Sequence, residues 1–440
     1  MNAINYRIKV IDSVDQLSKT QWNKLAQGAG PFLSYDFLHA LEQSGSCCNA
    51  SGWQSCHLVI HSSQDIVHVI IPGYLKTHSY GEYVFDHAWA NAYSQHGLDY
   101  YPKWISAVPF TPVTGPRILS DGTVEFTPEL FNALEQMLVS YVASTFGETL
   151  SSLHYLFSDI NTTALVKPSS TALPNDVTEP NDATEPNNET NSSAHFLTRY
   201  TVQFQWHNYN YSQFDDFLDT LTSRKRKDIK KSRRKLTDRG VSFTYATGEQ
   251  ITPDTLHFFT KCYKATYLKR SGHVGYLNDD FFAQLVENFS ENMLIVTAKE
   301  NNDAVASALF FYDETGLYGR YWGALKEIDG LHFACCYFEG IEFAIANSLP
   351  LFNPGTQGEH KILRGFEPIY CRSHHKLRHA SFHSAVADFL HRETPHIAGY
   401  FNQAKNALPF NQAFIPNLKT SSVIAPNDDT HNYNEKNDEI

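Results

Sequence analysis

Three β-rich runs at 294–299, 304–312 and 317–321 follow one another with only short polar turns between them. An apolar, aromatic-rich run at 332–347 comes directly after. Turns that short join antiparallel neighbours, so the three runs are expected to form a meander, and the run that follows is expected to be a helix covering it. A Gly-rich loop, FNPGTQGEH (352–360), and a basic element, KILRGF (361–366), complete the unit. Strand, helix, then a loop holding a carboxylate, an imidazole, an ammonium and a guanidinium is how an α/β transferase builds a site at its strand ends.

The surrounding pattern extends this unit. Upstream, strands are expected at 199–204 and 241–246. Helices are expected at 214–221, 254–270 and 280–288, with the basic stretch 224–239 continuing the first. Downstream, a strand to 374 and a helix at 382–392 close the series. The first 160 residues give a looser version: a strand, two helices, a hairpin over 53–60 and 66–75, proline-rich aromatic loops, a helix at 127–146 and a strand at 152–159. The fold class expected is therefore α/β (α+β), with two tandem acyltransferase-like units of mixed sheets flanked by helices. A chain of 440 residues is also too long for one core. The units are placed at 1–160 and 196–410. Between them, the degenerate PND-x-TEP repeat of 161–195 has almost no apolar content and is expected to be a disordered acidic linker. The polar tail 418–440 is expected to be disordered too.

No apolar run approaches the roughly 20 residues of a membrane span, and no signal peptide is evident at the N-terminus. Membrane insertion is not expected. The seven cysteines form no CxxC pair, which suits buried thiols in a reducing cytoplasm better than a disulfide frame or a metal site. The net charge of −12 argues against general nucleic-acid affinity, yet 224–239 holds ten basic and two acidic residues. Arg226, Lys230, Arg233 and Arg234 share a helix face there. They form either a grip for a polyanion or a solvated charged face.

Several stretches carry ionisable groups. In GTQGEHK, Gly355 and Gly358 permit close backbone approach, Glu359 and His360 are candidate bases, and Lys361 and Arg364 are candidate anion grips. The alternative is a surface turn with a Glu–Lys pair. YLKRSGHVGYLN (267–278) offers Lys269, Arg270 and His273 as a substrate loop, or simply a helix end with basic residues at its negative pole. Arg320, Tyr321 and Trp322 end the meander and are candidate substrate contacts. GEYVFDHAWANAY (81–93) offers Glu82, Asp86 and His87, or the polar edge of an aromatic core. PFTPVTGPR (109–117) reads as a rigid loop beside a cleft, with Arg117 available to an anionic substrate. Cys335 and Cys336 read as helix packing rather than nucleophiles.

These residues resemble a known family. SRKRKDIKKSRRKLTDRGVSF, FTKCYKATYLKRSGHVGYLNDDFFAQL and HFACCYFEGIEFAIANSL look like the second half of the Fem-type peptidoglycan aminoacyltransferases, which are two fused GNAT-like domains. GW at 52–53, KTHSYGEYVFDHAWANAY, PFTPVTGPR, LYGRYWGA and the GEHK–RGF run resemble a bacterial GNAT-superfamily group labelled peptidoglycan biosynthesis/recognition. The resemblance covers about 32–400 apart from the acidic repeat. It implies acyl or aminoacyl transfer to an amine, with a cell-wall precursor or another small molecule as acceptor. Aminoacyl-tRNA, held through the basic helix, or acyl-CoA would be the donor. No metal is implied. The Q/R-x-x-G-x-G/A donor loop of ordinary GNAT enzymes is missing after Arg320, which counts against coenzyme A. An acetyl-CoA-dependent N-acetyltransferase and a non-catalytic glycan or peptide recognition protein of the same fold remain the alternatives.

Overall fold

A computed structural model describes residues 6–166, 195–356 and 358–422. In the first half, β1 (Tyr6–Ile11) leads to α1 (Lys19–Leu25) and α2 (Tyr35–Gln43). Four short strands follow, β2 (Trp53–Ser55), β3 (His57–Ser62), β4 (Val67–Ile71) and β5 (Tyr74–Lys76). Then come α3 (His87–Gln95), β6 (Lys103–Ser106), β7 (Leu119–Ser120), α4 (Pro128–Phe146), β8 (Ser152–Ser158) and α5 (Ile160–Val166). The second half starts with β9 (Leu197–His207), α6 (Phe214–Asp219), α7 (Ser223–Asp238), β10 (Val241–Thr247), α8 (Pro253–Ser271) and α9 (Asp279–Phe289). The meander is β11 (Met293–Glu300), β12 (Asp303–Asp313) and β13 (Gly316–Ala324). The helix after it runs as α10 (Leu331–Phe333), a π-helical turn (Ala334–Phe338) and α11 (Glu339–Ala346). β14 (Leu351–Asn353), β15 (Glu367–Leu377) and α12 (Ala380–Asn406) follow.

The expected α/β class and the tandem arrangement are both visible in the strand order. One unit reads β1, two helices, two interrupted antiparallel strands, β6, α4, β8. The other reads β10, α8, α9, β11, β12, β13, α10–α11, β14. In each, a helix carries the chain across to make a parallel pair, β6 with β8 and β13 with β14, as a crossover connection requires. β9 and β15 lie side by side between the units, so an 11-stranded sheet runs β10-β11-β12-β13-β14-β9-β15-β8-β6-β5-β2 without a break. β1, β3, β4 and β7 form a separate 4-stranded sheet.

The helix pairs of the two units pack against each other. The Phe37 ring on α2 sits 5.8 Å from Phe281 on α9 and 5.5 Å from Phe311 on β12, all three buried. Truncating such a buried ring costs about 3–5 kcal/mol.

Several elements differ from the sequence expectation. α3 was not foreseen, because its aromatic residues hide the helical period. α6 and α7 are separate helices: Leu221 leaves the helix to bridge Phe410. α12 continues through Pro395 as far as Asn406. Tertiary contacts hold it, including Arg199 on β9, which donates to both oxygens of Glu393 (2.8 and 2.7 Å), and Phe401, stacked on Tyr370 at 4.2 Å. Residues 161–166 belong to α5 rather than to the linker, and most of the acidic repeat lies outside the described residues. At the tail, Leu418 is buried and Thr420 donates from its amide and hydroxyl to Glu367 (2.9 and 3.0 Å), so order extends past 418. Among the described residues no helix is long and apolar enough to cross a membrane, and all seven cysteines are free.

Candidate functional site

The site starts from a geometric accident of short pairing. β14 meets β13 only at Leu317–Phe352 and Tyr318–Asn353. β13 then runs on to Ala324, while β14 ends and the chain turns away at Pro354–Gly355. The strands part, and the gap holds a cavity of about 700 Å³. Its floor is Arg320, Tyr321 and Trp322 of β13. One wall comes from the helix (His332, Cys336, Tyr337) and another from the loop 354–361. A third comes from the end of α8 and the following loop, with Tyr267, Arg270, His273 and Tyr276. Tyr83 and Pro112 reach in from the first half.

The loop puts two ionisable groups into this space. Gly358 has φ +109, and a Cβ there would sit 2.2 Å from the His360 ring, so only glycine lets the imidazole fold back over the loop. His360 Nε2 lies 2.7 Å from the Tyr337 hydroxyl. Burial, with Arg364 and Lys361 adding, holds His360 below its usual range, so it is neutral at pH 7. Burial likewise keeps the Tyr337 phenol protonated by raising its pKa. Lys361 is 1% exposed and uses one donor on the Gly355 carbonyl at 2.6 Å. Burial, aided by the Arg320 charge, brings its pKa down to about 7. His332 is pushed down to about 4, mainly by burial and then by the neighbouring His360 and Arg270. Arg320 donates to the Phe110 carbonyl of the first half. Its Nε is buried with no partner.

Of the residues singled out in the sequence, Gly355, Gly358, His360, Lys361, Arg270, His273, Arg320, Tyr321 and Trp322 all line this cavity. The others do not. Glu359 is exposed and accepts from Tyr400 at 3.2 Å, because the 3₁₀ turn that turns His360 inward turns its neighbour out. Arg364 lies over the Phe333 ring, 3.4 Å from its centroid, and donates to the His360 carbonyl at 2.6 Å. It braces the loop from behind. Lys269 points to the surface and pairs with Glu327.

Glu82 and Asp86 are buried around Lys103, which donates to Glu82 at 2.8 Å, to Asp86, and to Ser79 at 2.9 Å. Burial raises Glu82 to about 7. Burial would raise Asp86 too, but the Lys103 charge outweighs it and holds the carboxyl down. His87 is exposed in the first turn of α3. Arg117 is 1% exposed and donates to the carbonyls of Leu156 (2.6 Å), Val113 (2.6 Å) and Pro116 (3.0 Å), so no substrate reaches it.

On the basic helix, Arg226 pairs with Asp219 (2.8 Å), Lys230 with Asp215 (2.9 Å), Arg233 with Glu342, and Arg234 with Asp238 (3.6 Å). The chain's own acids answer those cations.

The sequence reading missed His332, Tyr337 and Tyr83 as wall residues, while Tyr267 and Tyr276 belong to the 267–278 stretch read as a substrate loop. His332 and Tyr337 are five apart, which an α-helix places about 140° apart. The π turn brings their rings to 5.6 Å. Such turns often occur at functional sites. Tyr83 has φ +61, uncommon for a bulky residue.

The sequence pattern of a FemAB-like family, described as peptidoglycan biosynthesis/recognition, matches residues 13–412. No curated protein matches. Among solved structures, FemX is 10% identical with a TM-score of 0.46, covering 86% of this chain and 100% of that one. L-PGS from Bacillus licheniformis is 11% identical with a TM-score of 0.43, covering 77% and 90%. A tandem GNAT protein from the clavulanic acid biosynthesis pathway is 10% identical with a TM-score of 0.41, covering 84% and 98%.

Proposed function

Because the chain belongs to the FemAB-like peptidoglycan biosynthesis/recognition family, we propose that its cavity transfers an acyl or aminoacyl group to an amine on a peptidoglycan precursor. The observation that carries this reading is the neutral His360 bonded to the protonated Tyr337 in a cavity lined by Lys361, Arg320 and Arg270 and, among the described residues, by no carboxylate. Transfer to an amine needs the acceptor's ammonium to lose a proton before its nitrogen attacks. With Nε2 protonated and donating to Tyr337, His360 keeps Nδ1 as an acceptor for that proton. The Tyr337 O–H is then free to donate to the leaving oxygen or sulfur of the donor. Lys361 and Arg320 supply positive charge where the carbonyl oxygen becomes an oxyanion. No covalent enzyme intermediate is needed. Cys336 suits none, since burial pushes its thiol up.

A second reading has one observation in its favour. Among the described lining residues there is no carboxylate to act as base, so a recognition protein that binds the same precursor without chemistry fits the walls as well. Turnover decides between them. The full chain is incubated with a muropeptide precursor and either aminoacyl-tRNA or acetyl-CoA, and products are read by mass spectrometry. His360→Asn should lower the transfer rate by roughly 10²–10⁴ and leave precursor binding intact. Binding without product for any donor supports recognition. Unchanged turnover in both His360→Asn and Tyr337→Phe removes the proposed chemistry.

A further inference from the structure

Glu82 and Asp86 stand four residues apart in one loop and converge on a single ammonium. Lys103, 1% exposed, donates to Glu82 at 2.8 Å, to Asp86, and to Ser79 at 2.9 Å. Both carboxylates are buried as well, so parting either from the lysine strands a desolvated charge. The loop is pinned again outside this clamp. The Tyr80 carbonyl accepts from Trp53 Nε1 at 3.2 Å and from Lys76 at 3.4 Å. The Phe85 carbonyl accepts from Arg199 at 2.8 Å.

Tyr83 sits inside the clamped span and lines the cavity that the second unit builds. Its φ of +61 is a conformation that a bulky residue keeps only where its surroundings impose it, and such residues cluster at ligand sites. Among the described residues no hydrogen bond or ring stacking holds the Tyr83 side chain. Its place is therefore set by the backbone on either side, and its phenol keeps a free donor. Tyr83 lies near enough to Tyr267, Tyr276 and Tyr321 to act on all three phenols, which burial keeps protonated. Those three line the cavity too, whereas Lys103 does not.

We propose that Tyr83 is the ligand-selecting wall that the first unit contributes to this cavity, with Lys103 as the residue that positions it through Glu82 and Asp86. The phenols around Tyr83 are neutral, so the ligand part that meets this wall is an uncharged group able to accept a hydrogen bond, such as a peptide amide. A clamp that served the fold alone would leave the span between its ends relaxed. Here the strain falls on Tyr83, the residue of this loop that lines the cavity. The inference rests on the transfer reading only in taking this cavity as the ligand site.

Fluorine NMR of the full chain labelled with 3-fluorotyrosine reads the position without a ligand. The resonance missing from Tyr83→Phe belongs to Tyr83. It should shift in Lys103→Met and in Glu82→Ala, and return to its native position in Glu82→Gln, whose amide oxygen still accepts from Lys103. Glu82→Ala leaves Lys103 and Asp86 as a balanced pair, so it keeps the test open where Lys103→Met fails to fold; melting curves check both. Lys376→Met breaks another buried pair, with Glu135, and should leave the resonance in place. Calorimetry with a muropeptide precursor reads the consequence. Affinity should fall about tenfold in Tyr83→Ala and in Glu82→Ala, recover in Glu82→Gln, and fall no further in the double variant Tyr83→Ala/Glu82→Ala. A Tyr83 resonance unmoved in Glu82→Ala, one that moves equally in Lys376→Met, an unchanged affinity in Tyr83→Ala, or losses that multiply to about a hundredfold in the double variant overturns the inference. Precursor bound but never modified overturns the transfer reading alone. Absence of precursor binding to the native chain overturns both.

Discussion

The two parallel strand pairs occupy equivalent places in their units and have opposite fillings. Past Tyr318–Asn353, β13 and β14 separate around an open cavity. Past Ser106–Tyr155, the gap beside β8 is closed by the chain itself. The segment after β6 loops back so that Gly115 bridges Ser158, and the Arg117 guanidinium fills the remaining space with three carbonyl bonds. Each gap therefore holds an arginine. Arg117 is fully used by its own backbone, whereas Arg320 has a buried donor left over. The difference separates a fold's repeat from its candidate site: the same strand geometry is filled by the chain in one unit and left open in the other.

That contrast breaks most directly at Arg117. Arg117→Met should strand three carbonyls, two of them in buried bonds, and cost about 3 kcal/mol or more, read by urea denaturation. If stability is unchanged, the first gap is not plugged in the way described.

Lys361 sharpens the other side through pH. Folding moves its pKa from 10.5 down to about 7. Between those values the unfolded chain keeps a proton that the folded chain has lost, so this group's contribution to stability rises with pH across that window. Its deficit is complete below about 7. Lys361→Met removes the deficit, so the variant's gain over the native chain should be largest near pH 6 and shrink toward pH 10. Lys76, also brought to about 7, contributes equally to both proteins and drops out of the difference. A gain independent of pH would mean the lysine is not desolvated.

The smallest effect is expected outside both gaps. Arg226→Ala breaks a surface ion pair with Asp219 and should change stability by less than about 1 kcal/mol.

Much of the site was legible because local chemistry marks it. GTQGEHK and RYWGAL combine glycines, aromatics and cations in short stretches, and both reach the cavity. Failures came where a neighbour decides which way a side chain points. Glu359 and His360 look equivalent in sequence, but a 3₁₀ turn sends one to solvent. Arg117 reads as available until the Leu156 carbonyl, 39 positions away, takes it. Three of the acids that pair with α7, Asp215, Asp219 and Glu342, sit on other helices, so the sequence left its cations open as a grip or a solvated face. Most of the strand and helix order survived because periodicity is local, with α3 and β14 the exceptions. The pairing of β9 with β15 did not show, since nothing in either run names its partner.

The pairing of β15 with β8 bears on how the chain comes to be folded during synthesis. His154 on β8 meets His375 on β15 at 2.7 Å across 221 positions. The first unit therefore leaves the ribosome with one edge of β8 unpaired, and its partner strand is among the last to be made. At ordinary elongation rates that edge waits roughly ten to forty seconds. An unpaired strand edge is a template for the wrong neighbour, so this protein is most vulnerable to misassembly before its final third has been translated.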